Sequence, residues 1–449
     1  MSDLIISLSG LRGIVDKSLT EEVAAEFAKA YATVLGQKKT LVVGGDTRQS
    51  FQRFKEAIID AIQSCGLNVI DIGQCPTPTV QQAIRHHQAD GGLVITASHN
   101  PIMWNGIKLM NSEGAFLVGE AYDKTLENYQ HKTFKEVATS QRGTVSQDNH
   151  AIDTHIDRIL AHFDISSIQE SPLRVLVDVN HGTGAIADPL LFNRLGVAYD
   201  IMYPEADGNF SHTPEPIKEN LSAICQRLKK GGFDIGFVQD PDADRLVIIA
   251  GDGTFIGEDY SLAYCMDYLL GHETAKDKQV VVNLSTSKVI DYICDKHQAT
   301  LTHSKIGEPN VVAGLKAKQA QVGGEGNGGV IYPKVGWGRD SLLGIVVALK
   351  HLAESKMSVI ETVKTYPRFI LKRDKIQLCK KEEVEIFLET INRHFATESI
   401  NTQDGVKIDF GQEWLHVRPS NTEPIVRLFA ESTSSEKADA LIEKAKALQ

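Results

Sequence analysis

A chain of 449 residues, 42% hydrophobic and 23% charged, has the make-up of an ordinary globular protein, and its length allows three or four domains. With 47 Lys plus Arg against 58 Asp plus Glu, the net charge of −11 argues against nucleic acid or an anionic membrane as partner, though a locally basic cleft for a phosphorylated small molecule stays open. Six scattered cysteines with no Cys-x-x-Cys pair, no basic-then-apolar leader and no apolar run of about eighteen residues predict a reduced, soluble, cytoplasmic protein.

From Leu4 to Val15 the chain reads as a strand turning at glycines around Arg12, so that the backbone folds tightly while the guanidinium points at an anion. A plain surface arginine in a turn fits that stretch as well. A helix follows, with Thr20 as its cap and Glu21 and Glu22 in its first turn. Thr40 to Ser50 reads as strand then loop, leading to a helix over Phe51–Cys65, and the same shape recurs at Arg174–Gly184 and Val280–Lys288. Three such starts predict three similar α/β domains with parallel or mixed sheets. None of these three starts carries the P-loop pattern or Gly-x-Gly-x-x-Gly. Beyond Tyr366-Pro367 the pattern changes to a helix near Glu382–Phe395, strands at Val406–Phe410 and Glu413–Val417, and a second helix from Ser435. That is a smaller α+β domain, and the expected boundaries are 1–149, 150–250, 251–367 and 368–449.

Four loops carry chemistry. The apolar run Gly92–Ile95 ends in Thr96-Ala97-Ser98-His99-Asn100-Pro101, which places Ser98 at the carboxyl end of a strand, where α/β sheets bind ligands. Ser98 is read as a phosphoryl carrier. A Ser-His-Asp hydrolase is a poor fit, because His99 is the chain neighbour of Ser98 and no Gly-x-Ser-x-Gly elbow exists. Lys108 returns towards the same loop as general base or electrostatic partner of a transferring phosphoryl group. In Asp240-Pro241-Asp242-Ala243-Asp244-Arg245, carboxylates at alternate positions converge on one hard cation, and three of them beside a substrate phosphate suit Mg²⁺. An EF-hand is excluded, since Arg245 and Gly251 stand where it needs Gly and Glu.

Arg418-Pro419-Ser420-Asn421-Thr422 gathers donors for a phosphate between two strands, with Arg427 on the second; a polar hairpin turn fits equally. In Gly323-Gly324-Glu325-Gly326-Asn327-Gly328-Gly329, glycines allow close approach to a ligand, and Glu325 and Asn327 read sugar hydroxyls, or Glu325 faces an amine.

These motifs, in this order, resemble the α-D-phosphohexomutases along essentially the whole chain. The resemblance implies four domains around a central cleft, each giving one loop: phosphoserine (Thr96–Pro101), magnesium (Asp240–Arg245), sugar (Glu325–Gly328) and phosphate (Arg418–Thr422). It implies a phosphorylated Ser98 that holds Mg²⁺ together with Asp240, Asp242 and Asp244. Catalytic roles then fall to Ser98, Lys108, Arg12, His99 and Arg245, and substrate contacts to Glu325, Asn327, Arg418, Ser420, Asn421, Thr422 and Arg427. It further implies a hexose 1,6-bisphosphate intermediate or activator, a fourth domain that opens near Pro367, and a monomer or homodimer.

Asp207–Pro216 is similar to another recurrent family segment, with no catalytic role assigned. The sugar loop departs from the common Glu-x-Ser-Gly-His, and its glycine-rich form is similar to that of phosphoglucosamine mutases. Glucosamine 6-phosphate to glucosamine 1-phosphate is therefore the expected reaction, with phosphomannomutase or phosphoglucomutase activity as the alternative. A Mg²⁺-dependent sugar phosphatase and a silent sugar-phosphate binder are the readings from other classes.

Overall fold

Short runs of valine, isoleucine and leucine, each closed by glycine or a polar turn, become the central strands of four sheets among the described residues. The structure, a computed structural model, describes residues 4–378, 381–419 and 425–449. The expected phosphate donors Ser420, Asn421 and Thr422 lie outside the described residues.

The first sheet holds β1 (Ile5–Ser7), β2 (Gly10–Ile14), β3 (Thr40–Gly45), β4 (Asn68–Gln74), β5 (Gly91–Ile95), β6 (Trp104–Asn111) and β7 (Val145–Gln147), in the order β1-β2-β6-β5-β3-β4-β7. The second holds β8 (Arg174–Asp178), β9 (Ala198–Met202), β10 (Ile235–Gln239) and β11 (Leu246–Ala250), in the order β11-β10-β8-β9. In the third, β12 (Lys278–Asn283), β13 (Ala299–Ser304), β14 (Val322–Glu325) and β15 (Gly329–Ile331) take the order β13-β12-β14-β15. The fourth is antiparallel throughout: β16 (Ile370–Gln377), β17 (Ser399–Asn401), β18 (Val406–Asp409), β19 (Trp414–Pro419) and β20 (Ile425–Ser432), ordered β16-β20-β19-β18-β17.

The first three sheets are mixed, and they share one plan. A central strand runs parallel to a neighbour (β3 with β5, β8 with β10, β12 with β14), and the chain then folds straight back as an antiparallel partner (β5 to β6, β10 to β11, β14 to β15). Each chemistry-bearing loop is therefore the connection at the carboxyl end of a central strand. The step from β19 to β20 repeats this in the fourth sheet. The architecture is three similar α/β domains followed by a smaller C-terminal one, as expected.

Thr20 caps the helix Glu21–Leu35, its side chain accepting a hydrogen bond from Val23 N, and the helix expected from Phe51 runs over Phe51–Ser64. One local expectation fails. Arg12 is not at a turn but inside β2, opposite Ile5 on one side and Gly106 on the other, and the turn sits earlier, between Ser7 and Gly10. Of the two glycines flanking Arg12, only Gly10 (φ 104°) lies at the turn, while Gly13 continues β2 opposite Asn105.

One apolar core runs from Ile156 to Tyr366 through the second and third sheets, and the fourth sheet has its own, around Phe387, Phe395, Ile408 and Leu428. The seam between third and fourth sheets includes polar bonds: Lys407 Nζ donates to Leu284 O (2.7 Å), Ser285 Oγ meets His416 Nδ1 (2.9 Å), and Lys288 N donates to Glu431 (2.8 Å). Among the described residues no helix is long and apolar enough to cross a membrane.

Candidate active site

All five residues of β5 are buried, and each aliphatic one adds roughly 1.5–3 kcal/mol, so the loop it delivers starts from a fixed point. Thr96 Oγ1 accepts from Ser98 N (2.8 Å) and donates to Asp46 (2.5 Å). Ser98 itself is bent into the left-handed region, φ 49°, and is 1% exposed. A non-glycine residue held there costs about 1–3 kcal/mol and marks a conformation that the surroundings impose. Its Oγ donates to Asp240 Oδ2 at 2.9 Å.

Asp240, Asp242 and Asp244 follow β10, with Ala243 between the last two at φ 50°. Each offers one oxygen, and these oxygens lie within 4.8 Å of one another, fully buried. Three buried carboxylates repel strongly unless cations answer them. Lys108 Nζ reaches Asp242 (2.6 Å) and Asp244 (3.2 Å), Thr77 Oγ1 donates to Asp242 (2.6 Å), and Arg339 donates to Asp244 (2.7 Å). Burial, then Asp244 and Asp242, push the Asp240 carboxyl well above its usual range. Burial also opposes charge on Asp244, but Arg339, Lys108 and Arg245 outweigh it and pull that carboxyl far down. Lys108 is desolvated too, yet Asp242 and Asp244 raise its pKa, so it stands as an ammonium, an electrostatic partner rather than a free base.

Asp242 Oδ1 and Asp244 Oδ1 are buried without a hydrogen-bond partner among the described residues. An all-oxygen set with unsatisfied, converging lone pairs fits a hard divalent cation, and these three aspartates with Ser98 are the residues that could hold it.

Arg12 donates to Asn100 Oδ1 (2.8 Å) at the rim of the serine loop. Arg245 lies between Asp240 and Asp244, at 3.7 and 3.8 Å. His99 puts Nδ1 3.4 Å from Ser98 Oγ and Nε2 4.0 Å from Glu215; burial, with Arg245 and Arg12 close by, holds its imidazole well below the ordinary pKa, hence neutral.

A cavity of about 720 Å³ opens from here, lined among others by His99, Arg245, Glu325, Asn327, Arg418 and Arg427. Glu325 is engaged on both oxygens: Asn283 Nδ2 (2.9 Å) and Gly307 N (3.0 Å) donate to one, Arg339 (2.9 Å) to the other. Asn327 Oδ1, by contrast, is buried and unpartnered among the described residues. On the opposite wall Lys375, Arg427 and Arg418 stand side by side across β16, β20 and β19, with Lys375 opposite Arg427 and Arg427 opposite Arg418. Like charges directly opposed in a sheet destabilise it, and an anion removes that cost. Asp404, 3.4 Å from Arg418, balances the row in part.

The fold thus brings together Ser98, His99, Lys108, Arg12, the three aspartates and Arg245 at one end of the cavity, and Glu325, Asn327, Arg418 and Arg427 around the rest. Sequence reasoning missed Arg339, a buried guanidinium joining Asp244, Glu325 and Glu308 (2.7, 2.9 and 2.9 Å). It also missed Lys375 and Thr77. Each is a single residue without a local motif, and only an alternation count along β16, setting Lys375 on the face of Arg373, offered a signal.

Four family models match consecutively: "Phosphoglucomutase/phosphomannomutase, alpha/beta/alpha domain I" over residues 4–136, domain II over 153–253, domain III over 257–369 and the C-terminal domain over 375–448. A "Phosphoglucomutase/phosphomannomutase" of Thermococcus kodakarensis is 35% identical, covering 97% of this chain and 96% of its own. A "Phosphoglucosamine/phosphogalactosamine mutase" of Sulfurisphaera tokodaii is 31% identical over 98% of both. The crystal structure of a phosphoglucomutase/phosphomannomutase family protein from Burkholderia thailandensis superposes with a TM-score of 0.86 at 25% identity, covering 99% of this chain and 97% of that one.

Proposed function

Given that the chain belongs to the phosphoglucomutase/phosphomannomutase family of phosphohexomutases, we propose that it converts glucosamine 6-phosphate to glucosamine 1-phosphate through a phosphorylated Ser98 and a bisphosphorylated sugar. The observation that carries the reading is Ser98 Oγ, 2.9 Å from the first of three converging buried aspartates, with Lys108 on the other two. Phosphorylated Ser98, Asp240, Asp242 and Asp244 would hold Mg²⁺, which when bound would neutralise charge on the transferring phosphoryl group.

The chain's own residues do the rest. Lys108 and Arg245 stand as fixed cations beside the serine, so the developing charge meets dipoles and charges already in place. When the bridge between Ser98 Oγ and phosphorus breaks, an oxygen–phosphorus bond to the sugar hydroxyl forms. The neutral His99 Nδ1, 3.4 Å from Ser98 Oγ, can take that hydroxyl's proton and return it to the serine oxygen set free. The phosphate at rest would lie on Lys375, Arg427 and Arg418, with Ser420, Asn421 and Thr422 as further donors. The bisphosphate then turns over and its other phosphate returns to Ser98. The polar bonds across the seam between third and fourth domains, exchangeable for water, favour opening for this step.

Which sugar is used turns on Glu325. Its oxygens are taken by Arg339, Asn283 and Gly307, so an amine gains little from it, and this favours a second reading, glucose or mannose phosphates, as in the name of the Thermococcus relative. Glu215, on the same cavity with its side chain 41% exposed, supports the amino sugar instead. The test is kcat/KM for the 6-phosphates of glucosamine, glucose and mannose with Mg²⁺ and a trace of hexose bisphosphate, beside intact-mass measurement of the purified protein. We expect a one-phosphoryl adduct and the highest value for glucosamine. A glucosamine value far below the others overturns the substrate; no adduct and no isomerised product overturn the mutase.

A further inference from the structure

Arg48 is 1% exposed, and its guanidinium spends every one of its five N–H donors on one small region. Nε donates to Asp46 Oδ2 (3.2 Å), Nη1 to the carbonyls of Pro101 (2.9 Å) and Trp104 (2.8 Å), and Nη2 to those of Ser98 (2.6 Å) and Asn100 (2.7 Å). Four carbonyls of the serine loop thus converge on one rigid plane. Within the loop the backbone pairs at Asn100 N with Ala97 O (3.0 Å) and at Trp104 N with Pro101 O (3.0 Å), Arg48 adds four bonds to that pairing, and the key residue is in the left-handed region. Without the guanidinium the carbonyls of Asn100 and Trp104 would lose this partner, and that of Ser98 would lose it in a place closed to water.

The same turn reaches the second domain. Thr47 Oγ1 donates to His181 O (2.7 Å), Gln49 Nε2 to Asn209 Oδ1 (2.5 Å), and the Arg48 guanidinium lies 5.0 Å over the Phe210 ring. Gly208 makes this approach possible: at φ 70°, a Cβ on it would sit 2.5 Å from Thr47 O and 2.9 Å from Arg48 Cα. The Asp207–Phe210 stretch, which the sequence marked without a role, is thereby the second-domain half of a joint directly behind the serine loop.

We propose that Arg48 is a positioning residue. It sets the conformation of the Ser98 loop and, through the Thr47–Gln49 turn seated on Gly208–Phe210, fixes the serine's place relative to the aspartate loop of the neighbouring domain. Arg48 reaches Ser98 only through its backbone carbonyl and not through the reacting Oγ, so its loss acts on the geometry of transfer and not on the grip on sugar phosphate. A lysine fills the volume but offers three donors from one point, too few and wrongly directed for four carbonyls.

The kinetic part of the test rests on the mutase reading; the structural part does not. Arg48→Lys is expected to lower kcat about 100-fold, the size that an ångström of misplacement brings, with KM for sugar phosphate within threefold of wild type. Hydrogen exchange at residues 97–104 rises, while exchange in the second sheet is unchanged. A wild type that lacks a phosphoryl adduct and turnover sinks the mutase reading, yet the exchange comparison still decides on Arg48. An active wild type beside an equally active variant with a protected loop overturns the proposal alone. If Arg48→Lys does not fold, Thr96→Val removes the hydroxyl between Ser98 N and Asp46, and unchanged kcat and loop exchange there overturn it. Gly208→Ala, which wedges the joint from the other side, should lower kcat without raising KM; a pure rise in KM contradicts it.

Discussion

The two ends of the cavity solve opposite electrostatic problems. At the serine end, charge is buried and answered: Asp242 and Asp244 share Lys108, Asp244 also meets Arg339, and the side chains of all four are at most 8% exposed. At the other end Lys375 and Arg427 are exposed, Arg418 is mostly buried beside them, and the three face one another with no equal set of carboxylates among the described residues. In the proposed reaction the first end would carry the phosphoryl transfer, and the second would take the resting phosphate, whose charge would relieve its repulsion.

Ser98→Ala breaks the first end most severely: turnover should fall by about 10⁴-fold or more and the phosphoryl adduct should vanish from intact mass, while sugar phosphate still binds. Lys108→Met separates the electrostatics from the chemistry. It leaves two buried carboxylates without their ammonium, so unfolding stability should drop by roughly 3–5 kcal/mol, and Mg²⁺ should restore much of it. A variant as stable as the parent without Mg²⁺ would mean that the aspartates are not ionised together.

Arg427→Gln acts in the opposite sense. KM should rise about tenfold, kcat should change little, and stability without ligand should hold or increase by a few tenths of a kcal/mol, read from thermal unfolding. Turnover should change least at Asp188, buried beneath Gln239 at the foot of the aspartate loop with its Oδ2 unpartnered among the described residues, where the effect falls on stability instead. Burial pushes its carboxyl up to about 8 despite a bond from Gln239. Between the unfolded value of about 4 and this one the fold keeps a proton that the unfolded chain has lost, so stability is full at low pH and falls by up to about 1.4 kcal/mol per pH unit as pH rises through the window. Asp188→Asn should flatten that slope; an unchanged slope from pH 5 to 8 would show that Asp188 is ionised in the fold.

How much of this was readable in the chain differs by region. Ser98 and the three aspartates announce themselves because several functional groups sit within six residues of one another, directly after an apolar strand. The helix from Thr20 and the α+β tail were readable for a similar reason, as cap chemistry and periodicity act over a few residues. Arg12 was placed at a turn because glycines near an arginine look alike whether they bend the chain or make room across a sheet, and only the register with Ile5 and Gly106 distinguishes the two. Glu325 looked like a free carboxylate for the same kind of reason: its partners Arg339, Asn283 and Gly307 are far off in the chain or unremarkable beside it.

By itself the sequence determined the order of domains, the loops at the strand ends and the type of chemistry they carry, since these follow from local pattern and side-chain composition. Only the tertiary structure decided which charges are spent and which remain. Arg339 consuming Glu325, Arg48 consuming four carbonyls of the serine loop, and Lys375 joining Arg427 and Arg418 in one row are all meetings of residues remote in sequence or on separate strands. Electrostatic energy depends on distance and burial, and neither is written into any short stretch of chain.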